Sequence, residues 1–257
     1  ESQEELNSLM ILSALLGKVG AGERDHVQLQ KEISRLSGGI SVSNHFYYDS
    51  NEELKGKTTL SSKFLPENTA ETTKLIFEIL GKTDFTHHER IKELMFQNFM
   101  GFQQSIVENG HRFAMLGASA SHNKLSHVQE SLGGLSAISK FAPFVTQQDD
   151  LMKQEIEKVA NTYQKLDAMK SELLFVSNNK LNNDQINEIR SIEFKKDGQS
   201  KIDVPFTKTF NKVVFPINTQ VNFSAMSLDA PLYDIKESPK FLILSSLLRN
   251  GFLHKRV

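Results

Sequence analysis

The chain contains no cysteine. That single absence excludes disulfides, thiolate metal sites, iron–sulfur clusters and cysteine nucleophiles, and leaves the redox compartment undetermined. Charge of one sign is also lacking: the net charge is −1 and the pI about 6.8, so nothing draws the chain to nucleic acid or to an anionic membrane surface. Lys195-Lys196 and Lys255-Arg256 are short, isolated basic pairs and read as solvated charge. No apolar run approaches the roughly 20 residues needed to cross a bilayer. The chain opens Glu1-Ser2-Gln3-Glu4-Glu5, without Met or a signal-like segment, so targeting information is absent rather than negative.

Catalytic spacing is missing as well. A zincin helix needs H-E-x-x-H or its inverse H-x-x-E-H, so that two imidazoles and a carboxylate share one face. Neither occurs among His26, His45, His87, His88, His111, His122, His127 and His254. The nearest miss is His127-Val128-Gln129-Glu130-Ser131, where Ser131 replaces the second His. His87-His88-Glu89 begins a helix, and neighbouring positions diverge around it, so solvated surface is expected there. Gly17, Gly20 and Gly22 spell G-x-x-G-x-G after a helix instead of a strand, with no Walker lysine following. No G-x-S-x-G elbow is present. No catalytic residue, no metal ligand and no substrate-binding residue is therefore assigned.

What is present is a core. With 39% hydrophobic and 24% charged residues in 257, the chain has the make-up of one or two globular domains. Leu6, Leu9, Met10, Leu12, Leu16 and Val19 form a first helix ending in the glycines at 17–22. Asp25 caps a second, with Val27, Leu29, Ile33 and Leu36 inward and Ser37-Gly38-Gly39 as its stop. The alternation Ile40-Ser41-Val42-Ser43 continues to Phe46 and Tyr47 as a strand, and residues 57–65 supply its hairpin partner. Pro66 opens a third helix. Thr86 caps a long fourth one with Glu89 in the capping-box position, and Asn109-Gly110 interrupts it before a shorter helix resumes at His111. Its Phe-rich stripe from Phe96 to Phe113 is expected to be core more than partner groove. Residues 119–143, rich in Ser and Gly, hold helical fragments at most. Residues 147–166 make a helix, 172–176 a short strand and 185–192 a helix.

Residues 194–205 have no periodicity and read as a surface linker. Beyond it, 213–215 and 220–225 are expected as strands, and Ser238-Pro239 starts a helix whose Phe241, Leu242, Ile243, Leu244, Leu247 and Leu248 call for burial on most sides. The mixture without strict βαβ alternation predicts an α+β fold with a mostly antiparallel sheet. Leu9-Met10-Ile11-Leu12-Ser13-Ala14-Leu15-Leu16 is echoed by Phe241-Leu242-Ile243-Leu244-Ser245-Ser246-Leu247-Leu248, which suggests a duplicated unit. The chain stops at Val257 without cap, turn or polar tail, so a piece of a longer chain is expected.

Three stretches carry a resemblance. Residues 9–20, Leu36-Ser37-Gly38-Gly39-Ile40-Ser41-Val42-Ser43, and Phe215-Pro216-Ile217-Asn218-Thr219-Gln220-Val221-Asn222 resemble the C-terminal half of the presequence protease and falcilysin family, in the pitrilysin clan of zinc metallopeptidases. Leu253-His254-Lys255-Arg256-Val257 looks like the run-up to that family's Arg and Gly-Gly-Ala-Tyr-Gly. The resemblance implies four homologous α+β domains in two halves joined by a helical hinge. Zinc is bound by H-x-x-E-H and a distal Glu in the first domain, and the second half forms the other wall of a closed chamber that degrades unfolded peptides such as targeting peptides. Residues 1–194 would then be a catalytically silent third domain, 195–207 a linker and 208–257 the start of the fourth. Leu9 to Leu16 would take the place of the zinc helix. The family's stabilising Arg and Tyr would fall after Val257, so no catalytic residue carries over. The implied partners are the N-terminal zinc-binding half of the same parent and unfolded peptides, with no nucleic acid and no membrane. Family members occupy mitochondrial, plastid or bacterial compartments. The alternative is a non-enzymatic pitrilysin-like scaffold or partner subunit of a separate catalytic chain.

Overall fold

The structure is a computed structural model that describes residues 2–146, 149–167, 171–177, 183, 186–187, 202–208, 214–216, 220–228 and 236–253. They belong to two compact units, Glu1–Ala225 and Met226–Val257. The first is built from α1 (Gln3–Leu15), α2 (His26–Leu36), β1 (Ser37–Tyr48), β2 (Leu54–Phe64), α3 (Thr69–Lys82), α4 (His88–Glu108), α5 (Gly110–Ser119), α6 (Lys124–Gly133), α7 (Ala142–Val145) and α8 (Asp149–Asp167). Short 3-10 turns, Pro66–Asn68 and Leu135–Phe141, precede α3 and α7. The fold is α+β, and among the described residues its sheet is the antiparallel β1–β2 hairpin.

The core forms around α1. Its sequence has no polar stripe, and Leu6, Leu9, Ile11, Leu12 and Leu15 are all buried, with α8, α4, α6 and β1 packed around it. Burying these five aliphatic side chains contributes on the order of 10 kcal/mol gross. Ser2 starts the helix with a reciprocal capping box to Glu5. Charged pairs tie its exposed end to α8: Lys158 reaches Glu4 at 2.7 Å and Glu155 at 2.8 Å, and Lys165 bonds Glu5. The hydrogen bond from Lys165 holds the Glu5 carboxyl below its usual range, and those to Glu155 and Glu4 raise the Lys158 ammonium above its own.

Asp25 caps α2 by accepting from Val27 N and Gln28 N, both at 2.8 Å. The glycine stop expected after α2 does not form, because the chain enters β1 directly at Ser37. The terminal carbonyl of Leu36 instead accepts from Asn68 Nδ2 at 2.9 Å and Thr72 Oγ1 at 3.4 Å. Gly39, at φ 109°, serves as a bulge: Ser37 pairs with Phe64 but Ile40 with Ser62, so β1 carries one extra residue. Ile40, Val42, Phe46 and Leu60 then face the core, while Ser41, Ser43, His45 and Lys57 face away.

Other expectations shift for identifiable reasons. Thr86 does not cap α4, and no box with Glu89 forms; Asp84 Oδ1 takes the Thr86 amide at 2.8 Å, and α4 starts at His88. Residues 119–143 are far more ordered than their Ser and Gly content suggests: Asn123 caps α6 through Ser126 N, and Val128, Phe141 and Phe144 are buried. Residues 171–177 form no strand, and Leu174 and Val176 are each 85% exposed. Nor is there a strand at 214–216 or 220–225. The expected surface linker is described from Ile202 onward, and there Ile202 and Val204 are buried in the core. The helix expected at 185–192 lies mostly outside the described residues. Of the Phe-rich stripe, Phe99, Phe102 and Phe113 pack inward with Phe141, while Phe96 is half exposed.

In the second unit, the helix Ser238–Leu247 passes into a π turn, Leu248–Leu253. Glu237, not Ser238, is its N-cap and makes no side-chain cap bond. Burial was the expectation here, yet Phe241, Leu242, Ile243, Leu244, Leu247 and Leu248 are all exposed. Hydropathy reports what a helix demands, and the described residues of this unit offer nothing apolar to meet the demand.

Two polar junctions brace the first unit. Tyr163 of α8 accepts from Thr83 N at 2.8 Å and donates to Ile79 O at 3.1 Å, closing the end of α3, while its ring meets Phe85 edge-on at 5.3 Å. Lys140 donates to Ser131 O beside the buried Glu130. Burial pushes the Lys140 ammonium down from its ordinary 10.5 to about 8, with the Glu130 carboxylate pulling the other way. Tyr163→Phe keeps the ring but strands the Thr83 amide, and is expected to cost about 1–3 kcal/mol in urea unfolding with an unchanged m-value. For Lys140, the unfolded chain holds the proton more tightly than the folded one above pH 8. Folding stability should therefore rise from pH 8 toward 10, and this rise should vanish in Lys140→Met, as pH-dependent denaturation would show.

Candidate functional site

The helix that resemblance places at the zinc-helix position is α1. Where it crosses the hairpin its polar contact is a closed chain: Asn44 Nδ2 donates to Ser13 Oγ at 2.7 Å, Ser13 donates to Leu9 O at 2.7 Å, and Thr58 Oγ1 donates to Asn44 Oδ1 at 2.9 Å. Every member is a hydroxyl, an amide or a backbone carbonyl. Such a chain orients the helix on the sheet and offers neither a base near neutral pH nor a metal ligand of the usual kind.

The near-miss at 127–131 is taken up by structure. The His127 ring stacks at 5.8 Å on Phe206. Glu130, 8% exposed, accepts from Ser136 N at 3.1 Å and ties α6 to the turn that follows. Ser131 Oγ accepts from Gln3 Nε2 at 3.1 Å and donates to Val128 O at 3.0 Å. The other histidines are dispersed: His45 bonds Ser43 at 3.0 Å, His87 lies 3.5 Å from Asp84, and His111 sits 6.5 Å from the Phe223 ring. His254 lies outside the described residues. Among the described residues no group of three or more His, Cys, Asp or Glu is placed to hold a metal ion, so the residues of α1 and α6 do not fit the zinc that the resemblance assigns to the parent.

A cleft of about 840 Å³ opens between α2, α3 and the turn before α2. Arg24, Lys31, Lys74 and Lys82 line it together with Glu23, Glu32, Glu78 and the ring of Phe77. The turn is held against the end of α3 by Gly22 N donating to Lys82 O at 2.8 Å and Asp84 N donating to Gly20 O at 2.9 Å. Gly22 is required on two counts: its φ is 61°, and a Cβ would overlap the Glu78 carboxylate. Glu78 is bound by Arg24 Nη1 at 2.5 Å, and Glu32 by Arg35 at 2.9 Å, whose hydrogen bond lowers the Glu32 pKa. With these two carboxylates engaged, the cleft has charged surface for recognition but no nucleophile–base pair among its lining residues. Sequence reading passed over it. The available signal was Lys74, Glu78 and Lys82, four apart along one face of α3.

Comparison with known proteins gives the lineage. Residues 2–143 match the family model described as peptidase-associated, for subfamily C of metallopeptidase family 16. The mitochondrial presequence protease of Yarrowia lipolytica is 20% identical over 258 residues, covering 97% of this chain and 26% of that protein. An uncharacterized protein of Borreliella burgdorferi is 21% identical over 270 residues, covering 99% of this chain and 27% of its own length. The mitochondrial presequence protease of Danio rerio is 27% identical over 144 residues, 55% of this chain and 14% of that protein. The chain thus spans about a quarter of the length of the first curated relatives it matches. The matched segment runs from α1 through the helices that cover it to the start of α7, and on that match the chain belongs to the family associated with these subfamily C peptidases.

Proposed function

We propose that this chain is a non-catalytic part of a pitrilysin-type zinc metalloendopeptidase that degrades unfolded peptides, targeting peptides among them, in a closed chamber, and that it contributes chamber wall. The observation that carries the reading is α1. It lies in the family-matched segment, it takes the place the resemblance gives to the zinc helix, and its inward positions are Leu6, Leu9, Ile11, Leu12 and Leu15. A zinc helix must turn imidazoles and a carboxylate into a wet cleft. Here the same surface is filled with aliphatic side chains, which is what a copy kept for packing requires.

In this reading residues 1–194 are a silent pitrilysin-like domain, 195–207 connect it, and 208–257 begin a homologous one. The echo between residues 9–16 and 241–248 supports the division, since both stretches are helical and apolar all round. Zinc, the activated water and the groups that steady the tetrahedral intermediate belong to the rest of the parent, and none of those steps is routed through residues of this chain. What this chain supplies is shape: a rigid packed unit whose basic cleft and uncharged helical surface present themselves to other parts of the parent or to peptide.

The test pairs metal analysis with cleavage of an unstructured fluorogenic peptide. The 257-residue chain is expected to hold no stoichiometric zinc and to leave the peptide intact, whereas the parent should bind zinc and lose cleavage on chelation. Chelator-sensitive cleavage by this chain alone would overturn the reading, and so would a zinc-free parent without peptidase activity.

A further inference from the structure

The long helix α4 is apolar on both sides. Its inner side gives Ile91, Leu94, Met95 and Ile106 to the core. Its outer side carries Phe96, Met100 and Val107, exposed by 50%, 49% and 47% and spaced so that they follow one another along the helix. From Leu94 to Val107 there is no charged residue, in a chain of which 24% is charged. The polar residues between the exposed apolar ones include uncharged Gln97, Gln103 and Gln104. The charges that bound the stripe are engaged on their own helix: Glu93 with Arg90 at 2.6 Å, and Glu108 with Gln104 at 2.8 Å. This outer face offers no ion-pair partner to an acidic or basic surface.

We propose that the Phe96–Met100–Val107 face of α4 is the docking surface for another domain of the same parent chain, which covers it with an uncharged apolar patch. The proposal rests on the reading that this chain is part of a longer peptidase. Size selects the occupant. The stripe is about 17 Å long and amounts to a few hundred Å² of apolar surface. A stable dimer of free chains needs about 800 Å² from each partner, so a second copy is poorly served by it. A domain on the same polypeptide is not held to that requirement, because linkage raises its effective concentration to about the millimolar range. The relatives that match nearly all of this chain have roughly three-quarters of their own length outside the matched part, so chain to supply such a domain exists in them.

The experiment is oxidative footprinting of the full-length parent with hydroxyl radicals, read by mass spectrometry at Phe96 and Met100. Met95 and Met152, 0% and 2% exposed, serve as the protected references, and the urea-unfolded parent as the exposed one. Phe96 and Met100 are expected to be modified about tenfold more slowly than in the unfolded parent, close to Met95. Phe96→Ser should return Met100 to a several-fold faster rate. Modification of both residues at nearly the unfolded rate would overturn the proposal. Protection that disappears on dilution would also overturn it, in favour of a second copy. A parent that protects both residues yet shows no zinc-dependent cleavage would support the interface while removing the peptidase reading.

Discussion

The constraint on which the first unit depends is that α1 has no side fit for water. An amphipathic helix can sit on a surface, but one carrying Leu6, Leu9, Ile11, Leu12 and Leu15 around its circumference must be enclosed. The hairpin covers it from one direction, α4 and α6 from others, and α8 runs along it, held at its exposed end by Lys158 and Lys165. The surface charge pairs are worth little singly. Their role is to fix how α8 lies on a helix whose apolar surface would tolerate sliding. Tyr163 extends the same logic to α3, because its hydroxyl converts contact along α8 into a bond at a defined amide.

The same physics explains which parts of the fold were legible in the sequence. Asp25 and the alternation from Ile40 to Tyr47 are local signals, and the cap and strand stand where they predict. Elements decided by distant partners were not legible. The end of α2 is closed by Asn68 and Thr72, more than thirty residues away, so no inspection of Ser37-Gly38-Gly39 could find it. Leu173 to Val176 has the composition of a strand, but no described strand pairs with it. Residues 119–143 look like loop because Ser and Gly are counted and the burial of Val128, Phe141 and Phe144 is not visible. The candidate site was legible in its negative part, through motif spacing. The basic cleft was not, since it is assembled from α2, α3 and a turn held by Gly22.

The contrast between α1 and the helix Ser238–Leu247 separates sequence character from structural fate. Both are apolar almost all round. One is enclosed by four elements, and the other leaves Leu242, Ile243 and Leu247 more than 60% exposed. Likewise α4 satisfies the core with one side and leaves an uncharged apolar strip on the other. Surfaces of this kind are unfavourable in water, and they make sense where another part of a larger assembly covers them. The aliphatic filling of α1 and the presence of such strips point the same way, toward a unit shaped by its neighbours more than by a chemistry of its own.

The order of synthesis gives the enclosure of α1 a temporal side. The ribosome makes Gln3–Leu15 before any of its cover, and α8, which runs along it, begins only at Asp149. At about 5–20 residues per second, that interval is on the order of ten seconds. Throughout it, a helix without a polar face has only incomplete partners, and the contacts that finally bury it are among the most distant in the unit. The nascent chain is therefore a natural client for factors that shield apolar segments, and its yield in a cell will depend on elongation speed before α8 as much as on the stability of the finished fold.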